Sequence, residues 1–266
     1  MCRARCRQRL QDCIRLSQHN SQHFPSSSHH HQNAIPERLE NFAMVKMIPA
    51  QANPTPLGLY AYAITNLLGN LYTINTRGIS NGNLIIGMAI SCGGLAQFIA
   101  GMWDFAKNNT LGGTAFTIYG TFWMSYGLMH IPGLGSVASY AGESADQLPN
   151  AMGLYFAMWF LLSVLFTPAF LRSSVVTFSM FVTLDLMWMF LMIDSFTGSD
   201  AARKVGGWSG IVSCCLALYE GTCILYTSDV TPIRLPRPMM PFAAKSVDDT
   251  ESDIKDMGIP EVKYSA

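Results

Sequence analysis

Asn53-Pro54-Thr55-Pro56-Leu57-Gly58-Leu59 leads into the first of six long apolar runs, and its reading decides the class of fold. Two prolines two residues apart cannot both occupy a helix interior. Each lacks an N–H, and the second restricts Thr55 to extended backbone. The sequence therefore predicts a broken, polar turn where the chain enters the apolar zone. Inside a bilayer, such backbone is tolerated only where protein buries it or where it lines a water-filled cavity. The stretch points to a permeation path rather than an anchor. The runs that follow, 57–76, 82–103, 110–131, 151–170, 173–193 and 206–227, each approach the ~20 residues that cross a hydrocarbon core as a helix.

Composition agrees. The chain is 50% hydrophobic and 13% charged, against about 25% charged in soluble domains. Lys and Arg are absent from the middle of every run. The expected fold is all-α: a polytopic membrane protein of six transmembrane helices. Residues 52–227 form the membrane domain, between an N-terminal tail, 1–51, and a C-terminal tail, 228–266. The N-terminal tail and the acidic stretch 248–253 are polar enough to stay disordered. Of the 17 Lys and Arg, 14 lie before run 1, in the 2–3 and 4–5 connections, or after run 6. The other connections hold only Arg77, Arg203 and Lys204. The positive-inside rule then puts both termini in the cytoplasm. Equal totals of 17 acidic and 17 basic residues give no sign of nucleic-acid binding.

The tails carry weaker signals. Arg3, Arg5, Arg7, Arg9 and Arg15 imitate a mitochondrial presequence, although a disordered cytoplasmic tail is the preferred reading. Cys2, Cys6 and Cys13 lack the paired spacing of a zinc site. His29-His30-His31 reads as a metal-binding tract or as plain low-complexity sequence. No cofactor fingerprint is present, whether P-loop or dinucleotide-binding. His130 is the only histidine outside the tail, which leaves no basis for a catalytic triad. The chain reads as no enzyme, with no cofactor and no metal.

Two patterns organise the membrane domain. Gly58-Leu59-Tyr60 and Gly153-Leu154-Tyr155 open runs 1 and 4 after Pro/Asn turns. This echo suggests a 3+3 inverted repeat with the pathway between its halves. Small residues form stripes: Gly207, Gly210, Cys214, Ala217 and Gly221 in run 6, and Gly113, Gly120 and Gly127 in run 3. Lipid gives helices no hydrophobic reason to associate, so small residues let backbones approach instead. Run 1 has a polar stripe of Tyr62, Thr65, Asn66, Gly69, Asn70 and Thr73. Buried Asn must be satisfied, so this side faces a pore or bonds neighbouring helices. Neutral amides and hydroxyls suit a small carboxylate.

Asn53-Pro54-x-Pro56-Leu57-Gly58-Leu59, then Gly93-Gly94-Leu95-Ala96-Gln97, Gly101, Asn109-Thr110 and Thr114 through Trp123, resemble the acetate uptake transporter family. These are the succinate–acetate permease-like proteins of bacteria and fungi. The resemblance covers roughly residues 52–227. It implies uptake or conduction of small monocarboxylates such as acetate, proton-coupled or passive, by a plasma-membrane homo-hexamer with one pore per subunit. It also implies an apolar constriction formed by Tyr62, Tyr119 and Leu184. The family commonly has Phe where this chain has Tyr62.

Asp185 and Glu220 are the acids read inside runs, where the family tends to be uncharged. A central carboxylate costs on the order of 2.5–3.5 kcal/mol on insertion scales, so both are candidates for a proton relay. No Lys or Arg lies deep in a run to pair with them. They would suit a cation better than an anion, which keeps ammonia or ammonium export open as an alternative. A third reading is a membrane sensor or scaffold acting through its tails.

Overall fold

The structure, a computed structural model, describes residues 52–134 and 136–242. The Arg, Cys and His features of the N-terminal tail and the acidic cluster at 248–253 lie outside these residues. The described chain forms helices α1 (Thr55–Thr73), α2 (Ile85–Ala106), α3 (Thr110–His130), α4 (Leu148–Phe166), α5 (Val175–Thr197) and α6 (Asp200–Leu225). Among the described residues there is no strand, only one isolated antiparallel bridge between Ser174 and Met239.

Four segments are long and apolar enough to cross a membrane: α2, the stretch Gly142–Arg172 that contains α4, α5 and α6. Helices α1 and α3 have 19 and 21 residues, about 28 and 32 Å. They are less apolar because they pack inside the bundle, where Thr65, Asn66 and Asn70 are buried. Helix α4 is the reverse: Leu154, Met158, Leu161 and Leu165 are 55–67% exposed along it. The most apolar surface faces outward, as lipid requires and water does not.

The opening motif departs from its expected form. It is no broken turn at membrane depth. Pro54 is the N-cap of α1, with helical φ −80° and ψ −14°, and Pro56 sits in the first turn. Both positions lack an intrahelical N–H partner in any helix, so the prolines cost little there. The Gly58 N–H already reaches Pro54 O at 3.1 Å. The irregular backbone lies in α2 instead, where Ala89–Ala96 is a π segment between α-helical Ile85–Met88 and Gln97–Ala106. Glycines admit close neighbours here. A Cβ on Gly93 would stand 2.8 Å from Thr65 of α1 and from Trp123 of α3.

The small-residue stripes do what their spacing implies. On α6, Gly207 and Gly210 face Ile74 and Asn70 of α1, and Gly221 faces Leu59 and Tyr60. On α3, Gly113, Gly120 and Gly127 face Phe105, Phe98 and Ile90 of α2. At the opposite end of α1, Arg203 donates to Thr73 O at 3.2 Å and Asn75 Oδ1 at 3.3 Å, tying the start of α6 to the end of α1.

Beyond α6 the chain turns back. Val175 donates to Pro238 O at 2.9 Å, Met240 donates to Ser173 O at 3.0 Å, and the Tyr219 hydroxyl donates to Pro236 O at 2.6 Å. Residues 236–240 therefore lie across the start of α5.

Candidate functional site

A cavity of about 200 Å³ opens at the end of the bundle where α1, α3 and α5 begin and α6 finishes. Three helices run inward from its mouth, and the deepest lining residue on each is Tyr62, Tyr119 and Leu184. On α1 and α5 the lining runs seven residues inward, from Thr55 to Tyr62 and from Thr177 to Leu184, about 10 Å of helix. All three residues are at most 6% exposed. The three residues that the resemblance implied as a constriction thus line one cavity.

Each is held differently. The Tyr62 hydroxyl lies 2.8 Å from Ser213 Oγ and accepts from Asn66 Nδ2 at 3.1 Å. Ser213 gives its own proton to Met180 O at 2.9 Å, so Tyr62 donates to Ser213. The hydroxyl that a Phe would lack is therefore spent joining α1 to α6. The Tyr119 ring packs against Phe166 and Phe181, with centroids 6.2 Å apart, and Trp159 at 6.3 Å. Its hydroxyl has no hydrogen-bond partner among the described residues. Leu184 belongs to the central apolar cluster.

The rest of the run 1 stripe splits. Asn70 Nδ2 donates to Asn66 O at 2.8 Å and Asn66 Oδ1 at 3.1 Å, so Asn70, Asn66, Tyr62 and Ser213 form one hydrogen-bonded ladder. It continues inward from the cavity floor without lining it. Thr65 is fully buried toward Gly93 of α2, also away from the cavity, and its hydroxyl has no partner among the described residues. Asn53, Pro54, Pro56 and Gly58 build the helix start. Asn53 Oδ1 accepts from Thr55 N at 3.2 Å, and Gly58 lies under the Phe116 ring.

The two acids are not brought together. Asp185 accepts from Thr167 Oγ1 at 2.6 Å, on the α4 side. Glu220 is 1% exposed and accepts from Ser174 and Thr177 hydroxyls, each at 2.9 Å. Thr177 and Asp185 are eight residues apart on α5, about 12 Å. The expectation that Glu220 lacks a cation is corrected. Arg237 Nε and Nη2 reach its Oε1 at 2.8 and 2.7 Å. The partner comes from the segment that folds back after α6, so a search confined to the runs missed it.

Other site residues also escaped the sequence reading. Gln97 lines the cavity at 1% exposure, with its Oε1 unpartnered among the described residues. It stood inside a quoted motif, yet only its polarity at a helical position marked it. Asp104, equally buried, lies just past the end of run 2 and does not line the cavity. Among the described residues, no three of His, Cys, Asp and Glu gather to hold a metal. The cavity offers an apolar floor, neutral polar walls and one compensated carboxylate.

The chain is similar to several known proteins. The profile of the GPR1/FUN34/yaaH family matches residues 37–242. The chain is 34% identical over 197 residues to the ammonia transport outward protein 2 of Saccharomyces cerevisiae, covering 74% of this chain and 68% of the relative. It is 31% identical over 201 residues to acetate permease A of Emericella nidulans, covering 72% and 67%. Among solved structures it resembles the bacterial acetate channel SatP, with a TM-score of 0.62 and 28% identity. That match spans 71% of this chain and 99% of SatP.

Proposed function

The chain belongs to the GPR1/FUN34/yaaH family, and on that premise we propose that it conducts small monocarboxylates, acetate among them, across a membrane. The observation that carries this reading is the cavity whose floor is Tyr62, Tyr119 and Leu184. It is wide enough for a few non-hydrogen atoms and it ends on apolar groups inside the bundle. Likeness to proteins named acetate permease and acetate channel supports the substrate class. The reading is transport, not catalysis.

All six helices span the bilayer in this proposal, with the polar α1 and α3 shielded from lipid by the others. The 3+3 inverted repeat is its natural architecture, and a plasma-membrane homo-hexamer its assembly. Residues 52–227 are the transport domain, with cytoplasmic tails at 1–51 and 228–266. The cavity then opens to the cytoplasm, and Tyr62, Tyr119 and Leu184 form the constriction. Tags at either terminus should be protected in sealed cells, and a tag within 132–150 should be reachable from outside. An accessible terminus would overturn both the orientation and the span count.

Labelled acetate uptake in cells lacking their own carriers tests the function. Expression of the full chain should raise uptake well above background. Proton coupling would appear as a dependence on the inward proton gradient that Asp185→Asn abolishes. Ammonium export is the second reading, favoured by the likeness to ammonia transport outward protein 2. Ammonium efflux without acetate uptake would select it. Neither flux would leave a sensor or scaffold.

A further inference from the structure

We propose that the Arg237–Glu220 pair is the charge filter of this cavity: Arg237, carried by the segment that folds back after α6, makes the vestibule accept anions. The inference rests on the carboxylate reading above and concerns residues outside the floor. Glu220 lines the cavity and is 1% exposed. Left alone, its charge would repel an entering carboxylate along the whole vestibule, since a partly desolvated site screens poorly. Arg237 lines the same cavity, but its side chain is 39% exposed. The cation is therefore the outer member and the acid the inner one. An anion entering from solution meets the guanidinium first.

The pairing leaves Arg237 capacity to act on a ligand. Its Nε donates to Glu220 Oε1 at 2.8 Å, and its Nη2 makes an ion-pair contact with the same oxygen at 2.7 Å. Its Nη1 has no bond among the described residues, although guanidinium carries five N–H donors in a planar fork. Glu220 Oε1 also receives Ser174 and Thr177, whereas Oε2 has no partner among the described residues. One oxygen thus anchors the cation and does not consume it. The backbone fixes the position. Arg237 stands between two prolines; Pro236 O accepts from Tyr219, and Pro238 O accepts from Val175. Pro238 disfavours helical backbone at Arg237, and Pro236 does the same at Leu235. The arrangement is a fixed strap with a cation at its centre, not a wandering tail.

The test is the concentration dependence of acetate uptake in full-length protein, normalised to protein at the cell surface. Arg237→Gln leaves the buried acid uncompensated and should raise KM about tenfold, the size expected of one unit charge several ångströms away in a partly hydrated site. Glu220→Gln leaves the cation free and should lower KM several-fold. The double variant Glu220→Gln/Arg237→Gln should return to within about twofold of the starting value. Uptake of acetamide, a neutral solute of the same size, should not follow these shifts. A purely structural clasp predicts otherwise: both single variants would lose surface protein or rate in the same direction, for acetate and acetamide alike. That result overturns the inference, as does an unchanged KM in both singles. If Arg237→Gln does not reach the membrane, Glu220→Gln decides alone, and a KM that rises or stays constant refutes the filter. Absence of acetate uptake by the unaltered chain overturns the carboxylate reading, and the filter with it.

Discussion

A Gly101→Val variant should fail to accumulate as folded protein in the membrane. Helix α2 crosses α3 here with almost no space between the main chains. A Cβ on Gly101 would collide with Thr117 Oγ1, lie 2.5 Å from Thr117 N and 2.9 Å from Gly113 O. Two of these atoms belong to the α3 backbone, which cannot rotate aside as a side chain does. Overpacking a core typically costs about 1–3 kcal/mol when side chains can shift, so valine here should sit at or beyond the upper end. Gly87 of the same helix is the control, because a Cβ there meets nothing within 4 Å. Gly87→Ala should be neutral or slightly stabilising, since alanine is the better helix former. Detergent-extracted size-exclusion profiles would read both. A monodisperse Gly101→Val peak of normal height would show that the two helices have room to separate.

Among the described residues, helices α1 to α6 fall on the six runs, four of the segments being long and apolar enough to cross a membrane, but their ends were not legible. Run 6 was read from 206, whereas α6 begins at Asp200. Its first turn is polar: Ser199 caps Ala202 N at 3.3 Å, and Asp200 pairs with Arg203 and Lys204. Hydropathy cannot see a turn held by a cap and by charges. The prolines at 54 and 56 misled for the opposite reason. They are breakers inside a helix and ordinary at its start, and the sequence does not say which turn is first. At the cavity, Tyr62 follows the opening motif and Tyr119 lies inside the Thr114–Trp123 block, whereas Leu184 stands in no motif and came only from what the family resemblance implies. Arg237 was not legible. Its partner is 17 residues back, across a chain reversal whose geometry depends on backbone pairing with Ser173 and Val175. No spacing rule encodes that contact. For the same reason Glu220 looked like a lone acid.

Leu184→Ala should shift selectivity toward larger monocarboxylates, with lactate uptake rising about tenfold relative to acetate. The argument runs through what holds each floor residue. Tyr62 is fixed by Ser213 and Asn66, and Tyr119 by Phe166, Phe181 and Trp159. Neither ring can yield without breaking contacts between helices. Leu184 has no such second task, and trimming it removes bulk from the floor alone. A buried Leu→Ala typically costs about 2–5 kcal/mol, the larger values going with cavities that do not relax. This one adjoins an existing space that solvent or substrate can fill, so the low end applies and the protein should still reach the membrane. One additional hydroxyl and methyl-sized group, the difference between lactate and acetate, fits within the volume released. Tyr62→Phe separates widening from mere loosening. It leaves the ring in place and deletes two hydrogen bonds, each worth about 0.5–1.5 kcal/mol, so stability should fall while the lactate-to-acetate ratio stays constant. If Leu184→Ala leaves that ratio unchanged at normal surface abundance, Leu184 does not set the width of the path, and the narrowest point lies deeper, along the Asn66–Asn70 ladder.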